Sequence, residues 1–250
     1  MNNAKIGLLT TLLLGVFIII GSLLAFLVKK KDKVVDFSIG LALGVIGMLL
    51  ITDLLPEIIE NLGIKHIFIF IICTVIGYGI LKLLDHFIPD HKESSMTKKD
   101  YKENLIHIGV ITSCALVLHN IIEGMAVYST FLTDSKLGLA VTLGVGFHNI
   151  PLGMVIAATF YQSNDNIWKT LSIIGFVSLS TFLGGLIMFF LNLTTISSIL
   201  LGVLLSLTLG MLLFIVTSEL IPRVKASSDK KTSYVGITIG VVLLLLSQLI

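Results

Sequence analysis

Eight apolar runs, each roughly twenty residues long and joined by short polar connections, decide what this chain can fold into. They cover approximately 6–28, 37–59, 64–84, 105–130, 137–161, 168–191, 197–221 and 234–249. A run of that length crosses the hydrocarbon of a bilayer as a helix, because only a helix or a closed barrel satisfies its own backbone there. The expected fold is therefore an all-α membrane protein with eight transmembrane helices in a single domain, 1–250. With 55% hydrophobic and 13% charged residues and a mean hydropathy of +1.03, the composition leaves no material for a soluble domain. The one connection of any size, 85–104, is polar. The first run follows Lys5 and ends in Lys29-Lys30-Lys31 without a small-residue cleavage site, so it reads as a membrane helix and not as a removable signal.

Positive charge sets the expected orientation. The connections after the first, third, fifth and seventh runs hold thirteen Lys and Arg residues, whereas the N-terminus and the remaining connections hold Lys5, Lys65 and Lys136. Both termini are thereby placed outside the cytoplasm and 85–104 inside it. A net charge of +2, with the basic residues spread among connections, argues against a nucleic-acid partner. Cys73 and Cys114 each lie in an apolar run, form no disulfide framework or CxxC pair, and read as small apolar fillers.

Against this apolar background, His119-Asn120-Ile121-Ile122-Glu123-Gly124 sits near the middle of the fourth run and His148-Asn149-Ile150-Pro151-Leu152-Gly153 near the middle of the fifth. Imidazole, carboxamide and carboxylate groups at that depth are costly unless they face a cavity, a partner or an ion. His119 and Glu123 are one turn apart on one helix face, and Asn120 widens it. The second copy repeats His148 and Asn149 but puts Leu152 where a carboxylate would complete it. One such histidine alone is an ordinary packing residue. Two His-Asn pairs point to a metal or proton path, and nitrogen with carboxylate and amide oxygen suits zinc, iron(II), manganese or cobalt better than copper(I).

A second echo joins Thr52-Asp53-Leu54-Leu55-Pro56-Glu57 in the second run to Ser218-Glu219-Leu220-Ile221-Pro222-Arg223 in the seventh. These two runs cross in opposite directions, as do the fourth and fifth. Opposed repeats carrying polar and breaker residues are a transporter pattern, with the site at the repeat interface. Pro56, Pro151 and Pro222 remove hydrogen bonds from the carbonyls of Thr52, Phe147 and Ser218, and at Pro151 a kink that opens the site is expected. Gly40 and Gly44, and Gly236 and Gly240, have GxxxG spacing for close helix contact. His66, His86, His91 and His107, near the ends of runs or in the long connection, read as ordinary residues.

HNxxEG followed by HNxPxG, in a chain of eight runs whose longest connection falls between the third and fourth, resembles the ZIP (Zrt-, Irt-like protein) family of divalent metal transporters, in its bacterial form. The resemblance covers essentially the whole chain. It implies a 3+2+3 inverted-repeat arrangement and movement of zinc or a related ion toward the cytoplasm by an elevator-like shift. It also implies ligands at His119, Asn120 and Glu123 on the fourth helix and His148 and Asn149 on the fifth, with Asp53 and Glu219 as acids of the second and seventh. Two departures accompany it: relatives usually carry glutamate where Leu152 stands, and many bacterial ones carry another on the sixth helix, where this chain has no acid. One ion held by His119, Glu123 and His148 is then expected, with a residual positive charge and weaker binding.

The function expected is a secondary transporter, with the divalent metal ion as substrate rather than cofactor, working in the lipid bilayer; assembly as a homodimer is compatible with the sequence. No GxxxxGK[ST] occurs, so transport would run on the ion gradient and membrane potential. Asp53 and Glu219 are expected as entrance and exit acids. The alternatives are an intramembrane zinc-dependent hydrolase, which lacks HExxH and would need Glu123 as both ligand and base, and a transport-inactive sensor of the same fold.

Overall fold

The computed structural model describes residues 3–27, 31–87, 98–163, 166–227 and 229–249. Eight helices among them have the length and apolarity to cross a membrane: α1 (Asn3–Leu27), α2 (Lys33–Leu62), α3 (Ile64–Phe87), α4 (Leu105–Thr133), α5 (Ser135–Tyr161), α6 (Ile167–Phe190), α7 (Ser198–Ala226) and α8 (Lys230–Ser247). The long connection narrows, since helix continues to Phe87 and resumes at Lys98; Lys92 and His91 lie outside the described residues. Eight crossings put both chain ends on one face, called here the termini face.

Packing follows an inverted repeat. The first helix rests mainly on α5 and the sixth on α4; α2 rests mainly on α8 and α7 on α3. Exchanging α1–α3 with α6–α8, and α4 with α5, turns each of these pairs into the other. Two packed groups result, α1 with α4, α5 and α6, and α2 with α3, α7 and α8, which meet along α2–α5, α5–α8 and α4–α7.

Glycine stands at each of the four principal contacts, α1 with α5, α4 with α6, α2 with α8 and α3 with α7. A Cβ built on Gly40 would stand 2.1 Å from the Ser233 carbonyl oxygen, and one on Gly240 2.3 Å from that of Leu41, so the two GxxxG motifs are packed against each other. Gly77 and Gly210 make the same reciprocal approach between α3 and α7. Lipid offers no hydrophobic drive to pair helices, so close backbone approach with its dispersion and Cα–H···O contacts is what remains. Large residues such as Leu23, Phe68, Val75 and Phe176 face outward, while Val45, Ile46, Ile111 and Leu212 fill the interior. At the opposite face Lys33 pairs with Asp229 at 3.3 Å. Asp229 also caps α8 by accepting from the Thr232 N–H, and these hydrogen bonds hold its carboxyl below the usual range.

The proline echo has a structural counterpart. Leu50–Leu54 in α2 and Ile215–Leu220 in α7 are π-helical, and Pro56 and Pro222 fall in the first turn of the α-helix that follows each. A missing N–H is harmless in a first turn, and the wider turn before it absorbs the register change. Both helices therefore continue past the ends expected from hydropathy. Asp53 and Glu219 each lie inside the π turn, three residues before the proline. At Pro151 the helix Ser135–Ser163 is unbroken.

Candidate metal centre

The two motifs meet at one carboxylate. On α4, His119 and Glu123 project from the same face; His148 approaches from α5. Glu123 Oε1 lies 2.9 Å from His148 Nε2, which donates to it, and 3.5 Å from His119 Nε2. Asn149 Nδ2 donates to the other oxygen, Oε2, at 3.3 Å. Asn120 turns toward α6 and donates to the Val177 carbonyl at 3.3 Å. Gly124 and Gly153, which close the two motifs, are packing points: their Cβ atoms would fall 1.9 Å from the Thr181 oxygen and 2.1 Å from the Ile18 oxygen. The motif spacing thus fixes at once where the ligands point and how closely α6 and α1 press behind them.

His119 and His148 are buried and Glu123 is partly buried, and one ligand atom from each lies within 4.8 Å of the others. His119 Nε2, Asn120 Oδ1 and Asn149 Oδ1 are buried without a hydrogen-bond partner. Buried donors of electron pairs left unpaired in this way cost free energy that a cation would recover. The chemistry of the cluster, two imidazoles and one carboxylate, is that of a zinc site with room for further oxygen ligands.

Two adjoining cavities lead to it from the termini face. The inner one, about 120 Å³, is lined by Asp53 and Glu57 of α2, His119 and Glu123 of α4 and His148 of α5. An outer one of about 260 Å³ shares Asp53 and His148 with it and reaches Ser247 and Gln248 at the end of α8. Glu57, one turn beyond Asp53, is a member of this cavity that sequence reading passed over. Three carboxyl groups therefore line the inner cavity, two of them from α2, while Leu152 is buried in the core.

Glu219 stands apart from this centre. Its Oε1 is 3.6 Å from His107 Nε2, and Asp85 Oδ1 is 2.7 Å from the same nitrogen. These three ligand atoms also lie within 4.8 Å of one another, toward the face opposite the termini. His107, read above as an ordinary residue, is buried there with Nδ1 unpaired. No feature of the sequence says that the ends of α3, α4 and α7 adjoin. His66, by contrast, only meets the Leu62 carbonyl at 2.7 Å at the end of α2, and Cys73 and Cys114 are free and half-buried.

An inverted repeat of membrane helices with a histidine–carboxylate cluster at its centre defines a polytopic membrane transporter. The sequence profile described as "ZIP Zinc transporter" matches residues 90–248, and the chain belongs to that family, which comprises transporters and not enzymes. Over its full length it is 29% identical to the zinc transporter ZupT of Clostridium perfringens, covering 97% of that protein, and 26% identical to the ZupT of Oceanobacillus iheyensis, covering 99%. The ZupT of an Enterobacter species is 26% identical over 94% of this chain. The hydrolase alternative is thereby set aside.

Proposed function

We propose that this chain carries zinc into the cytoplasm, the ion pausing between His119, Glu123 and His148. The observation that carries this reading is the convergence of both Nε2 atoms on Glu123 Oε1 at the floor of a cavity lined by further acids. The relatives' names, and a ligand set matched to a borderline divalent ion, support zinc as substrate. Taking the termini face as the outer one, as the distribution of Lys and Arg indicates, Asp53 and Glu57 draw the ion inward and Glu219, with Asp85 and His107, receives it on the cytoplasmic side. The linings of the two cavities run from the centre to the end of α8 on the termini face and include none of Asp85, His107 and Glu219, so delivery to that cluster needs a second arrangement. The division into two packed groups supports an elevator-like slide of α1, α4, α5 and α6 past the others.

The test is uptake of radioactive zinc into proteoliposomes holding the parent chain or His119→Ala. Saturable uptake by the parent, lost in the variant while its elution on size exclusion is unchanged, is the expected result. Zinc binding by the parent without any uptake would make it a sensor and contradict the proposal.

A further inference from the structure

Where the two cavities adjoin, one side chain is held in place by another. Asp53 lines both cavities, as does His148, and Gln248 lines the outer one. Gln248 Nε2 donates to Asp53 Oδ1 and to the hydroxyl oxygen of Thr52. That hydroxyl lies 3.1 Å from the same Asp53 Oδ1 and 3.0 Å from the Met48 carbonyl. Both contacts to the carboxylate, from Gln248 and from Thr52, fall on Oδ1 and none of them on Oδ2.

Asp53 sits in the π turn of α2, where the backbone widens. Gln248 reaches it from the C-terminal cap of α8, a helix locked to α2 by the approach of Gly40 to Ser233 and of Gly240 to Leu41. Both residues belong to the same packed group, so their bond persists wherever α5 stands.

We propose that Gln248 is a positioning residue for the ion's approach: by holding Asp53 Oδ1 it keeps Oδ2 aimed into the path that ends at His148. This rests on the transport reading above. A neutral amide does so without adding charge at the mouth, so the ion meets one oriented carboxylate instead of a mobile one. Preorganisation of that kind appears in the concentration needed for capture and not in the rate of the slower conformational step.

Zinc uptake is measured in proteoliposomes for the parent, Gln248→Leu, Asp53→Asn and the double variant. Loss of one net hydrogen bond to the carboxylate is expected to raise KM about fivefold in Gln248→Leu, with kcat within about twofold of the parent. In the Asp53→Asn background the same change is expected to do nothing further. A parental KM in Gln248→Leu, a fall in kcat alone, or an undiminished effect in the Asp53→Asn background would each overturn the assignment. Gln248→Met, which matches the length without the donor, replaces the leucine variant if that one does not fold. A parent that takes up no zinc defeats the transport reading itself, whereas a transporting parent with an indifferent Gln248 defeats only this inference.

Discussion

Glu123 Oε1 and His148 Nε2, 2.9 Å apart, join α4 to α5 at the centre of the bundle. Through that contact the second motif, which has Leu152 and no carboxylate of its own, faces an acid of the neighbouring helix. Removing it should therefore damage both halves of the site. Glu123→Gln keeps the shape and the packing of α4, and zinc uptake at low micromolar concentration is expected to fall by at least about tenfold, with little change in melting temperature. Uptake assays beside a thermal melt in detergent check this.

Zinc is expected to stabilise the folded chain in proportion to its binding. A concentration about one hundredfold above Kd adds about 2.7 kcal/mol, enough to raise the midpoint of unfolding by several degrees. A chelator should reverse the rise, and the zinc-dependent part should be reduced in His148→Ala. Differential scanning fluorimetry of the purified protein is the measurement.

On α2, Glu57 and Glu60 separate a cavity role from a general surface charge. Glu57 faces the inner cavity, whereas Glu60 is exposed on the same helix. Glu57→Gln is expected to raise KM for zinc several-fold and Glu60→Gln to leave it unchanged. Equal effects would mean that only the surface potential matters.

The cluster of Glu219, His107 and Asp85, proposed above as the exit, should act on rate more than on capture. Glu219→Ala leaves His107 with Asp85 alone, and a fall in maximal uptake of about threefold or more with KM little changed is the expected pattern. Initial-rate curves over a range of zinc concentrations separate the two constants.

Helix contact at the motif glycines is a stability question. Gly124→Ala forces a methyl into the Thr181 carbonyl, and a loss of about 1–3 kcal/mol is expected, with poor yield of folded protein. Gly47→Ala, where nothing stands within 4 Å, is the matched control and should be neutral or slightly stabilising.

Much of this molecule is legible in its sequence because lipid imposes simple rules. Eight spans follow from length and hydropathy, and the convergence of His119, Glu123 and His148 follows from helical spacing at matched depth. The Asp53 and Glu219 echo carried more than its residues: both stretches become π turns, which hydropathy does not encode. Glu57, His107, Asp85 and Gln248 were missed for one reason. Their meaning lies in which helices touch, and helix pairing here is set by reciprocal glycine contacts such as Gly77 with Leu207 and Gly210 with Thr74, not by any local pattern around the polar residues.

Anomalous diffraction at the zinc edge from crystals of the zinc-loaded protein tests the central claim most directly. A peak about 2.0–2.2 Å from one nitrogen each of His119 and His148 and from a Glu123 oxygen is the expected result. Zinc bound elsewhere in the chain, with no peak between these three side chains in a protein that transports the ion, would contradict it.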